Sequence, residues 1–207
     1  MAIPTLHMNV RFDDMNDRTK ESVKFSLTIA VITFVLAAIF SSFSSSLLGS
    51  VSWIIGFIIV LIIVFIGIIF DMLGIAAAAA KAAPLHAMAA EKVKGAREAV
   101  LIHRNAEKVA SFSNDVIGDI SGIVSGSALT IVILQITNLF RYSDGSTFQI
   151  VISTVLTSFI AALTVGGKAF GKYYAIHYST NILLYTGKVV YFIENKLKIT
   201  IFKQKKR

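Results

Sequence analysis

Residues 51–70 read VSWIIGFIIVLIIVFIGIIF, a run without a single charged residue. A helix rises 1.5 Å per residue, so about 20 apolar residues cross the ~30 Å hydrocarbon layer of a bilayer. This run therefore predicts a membrane-spanning helix.

Three more apolar runs accompany this one. The chain is 55% hydrophobic and only 15% charged over its 207 residues, a balance unlike that of a soluble domain with a polar surface. Only Gly49 and Ser50 separate the first two runs, which predicts a tight hairpin of antiparallel helices. We predict an all-α integral membrane helical bundle with about four transmembrane helices, at residues 25–48, 51–70, 116–140 and 148–165.

The segments outside these runs divide the chain further. Residues 1–22 mix both charges and predict a short cytoplasmic arm, ahead of a transmembrane domain at 23–195. A helix at 172–198 is apolar on one side only, so we expect a juxtamembrane helix at the membrane interface. Residues 199–207 form a basic tail suited to anionic lipid headgroups.

The segment between the second and third spans predicts a cytoplasmic helical excursion. Alanine dominates residues 74–83, and Pro84 marks a break or a helix start. From Leu85 to about Ala110 apolar side chains recur on one side of a helix, which we expect to lie on the membrane surface. The solvated side of this helix carries Glu91, Lys92, Lys94, Arg97, Glu98, Arg104 and Lys108.

Lysine and arginine are distributed unevenly about the predicted spans. Four spans place the arm, residues 71–115 and the C-terminal region on one side, where every lysine and arginine except Arg141 falls. The positive-inside rule makes that side the cytoplasm. We predict a multi-pass plasma-membrane protein with cytoplasmic N- and C-termini, whose net charge of +8 reflects topology and lipid contact rather than nucleic-acid binding.

Several classes of chemistry find no support in the sequence. There is no cysteine, which excludes disulfides, cysteine-ligated zinc and thiol catalysis. The four histidines are scattered and form no close ligand pair. No zinc-protease motif, serine-nucleophile motif or catalytic acid–base pair is visible, so we do not expect an enzyme or a tightly bound cofactor.

Three glycines in the third span recur every four residues. Gly118, Gly122 and Gly126 therefore line one helix face, as small residues do where membrane helices pack closely. We expect this face to pack against another helix, either within the chain or across a homodimer.

The same span carries two carboxylates. Asp115 and Asp119 are one helical turn apart, and Asp119 lies deeper in the predicted span. A charged side chain near the middle of a span costs about 2.5–3.5 kcal/mol on insertion scales, so it usually faces a cavity, a partner or an ion. Asp119 is thus a candidate functional residue, whereas Asp115 also fits a solvated carboxylate at a helix start.

Two more charged residues end other spans near the depth of Asp119. Asp71 ends the second span and Lys168 ends the fourth, so three helices can bring these side chains to one polar cavity. Such an oxygen-rich site suits hard cations such as Mg²⁺, which use one or two carboxylates and keep several waters. The remaining candidate ligands for this metal site are Asp115, Ser111, Asn114, Ser121 and Ser125.

Four stretches of the chain follow one another in a characteristic order. Residues 70–77 (FDMLGIAA) follow a span, and residues 92–99 (KVKGAREA) and 105–108 (NAEK) lead to residues 117–119 (IGD). Residues 166–172 (GGKAFGK) then open a juxtamembrane helix. In this order of parts, about residues 52–195 resemble the transmembrane domain of the CNNM/CorC family of magnesium-efflux proteins.

This resemblance implies a dimeric, three-span ion-handling core to which residues 25–48 add a leading span. It also implies Mg²⁺ transport, with Na⁺ as a counter-ion. The sequence departs from the family pattern at several points. Asp119 stands where the family has the asparagine of its ion site, Gly74 stands near the family's glutamate, and Gly167 replaces a proline. None of these 207 residues resembles the CBS modules of the family, so we expect regulation to differ.

Two functions remain open at this stage. The first is a divalent-cation (Mg²⁺-like) membrane transporter or efflux protein, which would bind its ion near Asp119 and Asp71. The second is a non-transporting membrane scaffold or regulatory protein that dimerises through the face of Gly118, Gly122 and Gly126.

Overall fold

A computed structural model describes residues 6–140 and 145–197, and the side chains of residues 19–140 and 145–196 within them. These residues form helices joined by short turns and include no strand, which confirms the all-α prediction. The predicted basic tail at 199–207 lies outside the described residues, as does Arg141.

The helices follow one another with short connections. They are α1 (Leu6–Leu48), α2 (Trp53–Ala79), α3 (Ala82–Ala90), α4 (Ala96–Arg104), α5 (Ala106–Ser111), a π-helical segment (Phe112–Gly118), α6 (Asp119–Leu139), α7 (Thr147–His177) and α8 (Ser179–Leu197). Among the described residues, four continuous helices are long and apolar enough to cross a membrane: Thr19–Leu48, Trp53–Ala79, Ala106–Leu139 and Thr147–His177. The protein is therefore a membrane helical bundle with four candidate spans.

Helix α2 is the centre of the bundle. It packs against α6 and α7 along its length, whereas α1 packs mainly against α6. Val60 and Val64 of α2 are buried against Val132 of α6 and Ile160 of α7. The outward faces of α1, α2 and α7 keep large apolar side chains exposed, as lipid-facing surfaces do.

Helices α3, α4, α5 and α8 cover one end of the bundle, which we call the capped end. Small residues at the end of α2, including Ala76 and Ala77, are fully buried there. They pack with Leu85 of α3, Ile102 of α4 and Leu183 of α8. The opposite end, where the turns after α1 and α6 lie, is called the hairpin end.

The structure corrects the prediction of one amphipathic helix over Leu85–Ala110. The chain forms three short helices instead, because Lys92 (φ 57°) and Gly95 (φ 80°) adopt the left-handed conformation and interrupt the helix between α3 and α4. Glu98, placed on the solvated side by the pattern, is buried with only 8% of its surface exposed. Arg97 and Arg104, the other charged residues of α4, are exposed.

Two helices extend beyond their predicted spans, and the helix predicted over 172–198 is divided. Helix α2 continues nine residues beyond Phe70 to Ala79, and α7 continues beyond residue 165 to His177. The helix expected over 172–198 is divided at Tyr178, since residues 172–177 belong to α7 and α8 begins at Ser179.

Two glycines make the closest contact of the capped end. A Cβ on Gly187 of α8 would lie 2.8 Å from the Ala99 amide nitrogen and would overlap the Gly95 carbonyl oxygen. A Cβ on Gly95 would in turn lie 2.7 Å from the Lys188 Cα. The backbones of α4 and α8 therefore touch at a point where only glycine fits.

We predict that Gly187→Ala lowers the midpoint of thermal unfolding in detergent by several degrees. Overpacking of this kind typically costs about 1–3 kcal/mol. The matched control is Gly166→Ala in α7, which meets no atom within 4 Å and gains helix propensity relative to glycine. Equal melting temperatures for the two variants would contradict the close contact of α4 with α8.

Candidate functional site

A π-helical turn opens the third span. Residues Phe112–Gly118 are π-helical between α5 and α6, and π turns inside longer helices are frequent at functional sites. Asn114, within this turn, presses against α2. A Cβ on Gly74 would lie 2.8 Å from the Asn114 Cγ and would overlap its Oδ1 atom. Gly74 therefore leaves the space that the Asn114 amide occupies.

Lys168 of α7 lies between two carboxylates beside this turn. Its Nζ atom is 3.9 Å from Oδ1 of Asp71 on α2 and 4.0 Å from Oδ1 of Asp119 on α6. The exposed fractions of the three side chains are 29% for Lys168, 16% for Asp71 and 65% for Asp119. Three helices thus bring together the three charges that the sequence placed at one depth, and we call them the ion-pair site.

Glycines set the helix spacing at this site. A Cβ on Gly118 would stand 3.6 Å from the Lys168 Nζ and 3.8 Å from Oδ1 of Asp71, so the backbone of the π turn borders the charges directly. A Cβ on Gly167 would overlap Ile68 of α2. The close approach of α7 to α2 at Gly167 lets the lysine one residue later reach the carboxylates.

The other candidate ligands do not converge on the ion-pair site. Asp115 is exposed and accepts a hydrogen bond of 2.8 Å from the Ser111 hydroxyl. The hydroxyls of Ser121 and Ser125 donate to the carbonyls of Ile117 (2.8 Å) and Gly122 (3.0 Å) of their own helix. Both serines are buried, so their hydroxyls serve the α6 backbone and not the carboxylates.

Asn114 differs from these side chains. Its Oδ1 atom is buried and has no hydrogen-bond partner among the described residues. Leaving a buried acceptor unsatisfied costs about 1–3 kcal/mol, so such an oxygen is available to a ligand. Asn114 touches α2 at Gly74, one helical turn beyond Asp71.

The predicted glycine packing face needs a partial correction. Gly118 borders the ion-pair site, but Gly122 and Gly126 are exposed and would meet nothing within 4 Å. Against α6, the glycines that allow close helix packing are instead Gly56 and Gly67 of α2. A Cβ on Gly56 would lie 2.9 Å from Val132 Cγ2, and one on Gly67 would lie 2.8 Å from Ser121 Cβ.

The spacing of the glycines in α2 is a sequence signal for close helix packing. Gly56, Gly67 and Gly74 are separated by eleven and seven residues, close to whole numbers of helical turns. They therefore lie on one face of the most apolar helix, which is the face that α6 and the π-helical turn contact.

The chemistry of this site differs from a preformed metal site. The described side chains include no group of three or more histidine, cysteine, aspartate or glutamate residues that could hold a metal ion. A lysine ammonium lies where a cation between the two carboxylates would bind. Asp71 and Asp119 can hold a second cation only by exchange with Lys168 or beside it.

Comparison with known protein families, with curated proteins and with solved structures finds no match for this chain. Fold and site together define the class as a membrane helical bundle with an ion pair between its spanning helices. The resemblance to the CNNM/CorC family stays a prediction.

We predict energetic coupling between Lys168 and Asp71 in a double-mutant cycle. Lys168→Met leaves a nearly buried carboxylate uncompensated, and adding Asp71→Asn removes that charge and restores part of the thermal stability. Groups in one ion-pair network typically couple by about 0.5–3 kcal/mol. The matched cycle with Asp119→Asn should give a smaller coupling because Asp119 is more exposed. Additive effects for Lys168 and Asp71 would rule out an energetically significant pair.

Proposed function

We propose that the protein is a membrane cation transporter, with a divalent cation such as Mg²⁺ as its substrate. The observation that carries this proposal is the position of Lys168 between Asp71 and Asp119. Charged residues in spanning helices are costly and mark ion paths more often than they serve packing. One lysine against two carboxylates leaves the ion-pair site with a net negative charge, which attracts cations.

In this proposal Lys168 acts as a built-in counter-ion. A hydrated divalent cation enters from the capped end and binds between Asp71 and Asp119, and the ammonium moves away from them. Mg²⁺ keeps most of its waters in such sites and needs only one or two carboxylates. The unpartnered Oδ1 of Asn114 supplies a further oxygen when α2 and the π-helical turn shift.

Topology and coupling form part of the same proposal. The lysine and arginine distribution supports cytoplasmic N- and C-termini and hence a cytoplasmic capped end. A plasma-membrane location, Na⁺ as the counter-ion and a homodimeric assembly are what the CNNM/CorC resemblance implies. The basic C-terminal tail suits anionic headgroups of the same bilayer.

Transport in reconstituted vesicles tests the proposal. We expect Mg²⁺ flux, read by a Mg²⁺-sensitive dye, to fall at least tenfold in Asp71→Asn and in Asp119→Asn. Glu107→Gln is the matched control, because Glu107 is an exposed carboxylate of α5 away from the ion pair. Flux that is equal in all three variants and the wild type would refute the ion-pair site as the transport site.

Removing the lysine should strengthen cation binding. In Lys168→Gln no ammonium competes for Asp71 and Asp119, so we expect the apparent Kd for Mg²⁺ to fall about tenfold or more, which is about 1.4 kcal/mol. Thermal-shift titration in detergent measures this, because a ligand that binds only the folded state stabilises it. Weaker Mg²⁺ binding in Lys168→Gln than in the wild type would contradict competition by the lysine.

A specific observation also favours the scaffold function. Gly122 and Gly126 are exposed on α6 with nothing packed on them, and such faces join membrane helices between protomers. A loss of dimer on Gly122→Leu, together with no Mg²⁺-dependent thermal shift in the wild type, would favour a non-transporting scaffold.

A further inference from the structure

We infer that the groove between α6 and α7 is a water-filled passage, which leads from the ion-pair site to the hairpin end. This inference rests on the proposed transport function. It locates the part of the cation path that lies between the ion-pair site and the hairpin end. Two rows of side chains and one cavity carry the inference.

The first row follows α7. Polar or small residues recur every three or four positions on its side toward α6: Gln149, Ser153, Thr157, Ala161, Thr164 and Lys168. The opposite side of α7 is different, because Val151 and Val155 are 55% and 60% exposed and apolar. One side of α7 thus faces lipid, and the other side carries a row of polar and small residues.

The second row follows α6. Asp119, Gly122, Gly126 and Thr130 recur at the same spacing on one face, and all four are exposed. A Cβ on Gly122 or Gly126 would meet no atom within 4 Å, so this face is not filled by a neighbouring helix. The apolar and buried residues of α6, including Val124 and Val132, lie on its other side.

A cavity with mixed polar and apolar walls lies where the two rows approach the hairpin end. Its volume is about 280 Å³, and Thr130 of α6 with Gln149, Ser153, Thr154 and Thr157 of α7 line it together with Ile133, Leu134 and Ile150. A cavity of this size with several hydroxyl and amide groups holds water readily. The larger cavity between α1, α2 and α6, of about 510 Å³, is lined almost wholly by apolar side chains, so its chemistry does not suit an ion.

The two rows span the same distance along the bundle, from the ion-pair site to the cavity. Thr130 lies eleven residues beyond Asp119, and Thr157 lies eleven residues before Lys168. At 1.5 Å per residue, both rows rise about 16 Å from the ion-pair site to the cavity. The ion pair and the cavity are therefore the two ends of one polar groove.

The hydroxyl groups along the groove can face a hydrated cation while they donate to the backbone. Thr130, Thr154 and Thr164 now donate to carbonyls of their own helices, at 3.1, 2.8 and 2.7 Å. Each hydroxyl oxygen keeps acceptor capacity while it donates, so it can face a hydrated cation without leaving its helix. Such a row conducts a hydrated cation without binding it tightly.

Cysteine accessibility tests the inference directly, because the chain has no cysteine of its own. The probe is a membrane-impermeant cationic methanethiosulfonate reagent, added to proteoliposomes or detergent-free nanodiscs. Thr130→Cys and Thr157→Cys are the test variants. Val155→Cys on α7 and Ile62→Cys on α2 are matched controls at exposed apolar positions, where Ile62 is 52% exposed. We expect the test variants to react at least tenfold faster than the controls.

A second variant on the polar row of α7 and a folding control complete the experiment. Ala161→Cys is a second, small substitution on the same row, and thermal unfolding of each variant confirms that it folds. Equal reaction rates for row and control positions would overturn the passage. So would spontaneous disulfide crosslinking of Gly126→Cys between protomers without labelling, because the groove would then be a protomer interface.

The two proposals fail in different ways. Rapid labelling of the row, with Mg²⁺ flux indifferent to Asp71→Asn and Asp119→Asn, would support the passage and refute the transport site. Flux that depends on both carboxylates, with an unreactive row, would keep the transport site and overturn the passage. Block of flux by labelling at Thr157→Cys would support both.

Discussion

The arrangement of this bundle depends on the cost of holding a carboxylate between spanning helices. An unpaired charge there costs several kcal/mol, and two unit charges 4 Å apart attract by about 4 kcal/mol at an effective dielectric constant of 20. Lys168 approaches Asp71 and Asp119 to 3.9 and 4.0 Å, so the attraction is of the same order as the penalty. The helices must therefore place one lysine within reach of both carboxylates.

Close backbone contact makes that placement possible. Ile68 of α2 fills the space that a side chain at Gly167 would need, and Asn114 fills the space beside Gly74. At Gly118 the backbone itself borders the charges. Glycine at these points lets α2, α7 and the π-helical turn approach one another more closely than larger residues allow. Packing and electrostatics are thus coupled at one depth of the bundle.

Sequence reasoning succeeded where one physical term dominates. Hydropathy alone gives the four candidate spans, and residue depth along those spans gives the meeting of Asp71, Asp119 and Lys168. It failed where tertiary contacts compete with local pattern. Lys92 adopts a left-handed conformation that no local rule requires of lysine, and Glu98 of α4 is buried although Arg97 and Arg104 of the same helix are exposed. Ser121 and Ser125, which looked suitable as ligands, donate instead to backbone carbonyls one turn earlier, as serines in helices commonly do.

The unequal number of charges gives the ion-pair site its chemical character. If one lysine met one carboxylate, the pair would be neutral and would offer little to a passing ion. Two carboxylates share Lys168 here, and the more exposed one, Asp119, stands at the start of the polar row on α6. The lysine keeps the less exposed Asp71 compensated while Asp119 stays accessible. In the proposed transport function, an arriving cation meets a partly neutralised site from which it can also depart, because the ammonium returns as the ion leaves.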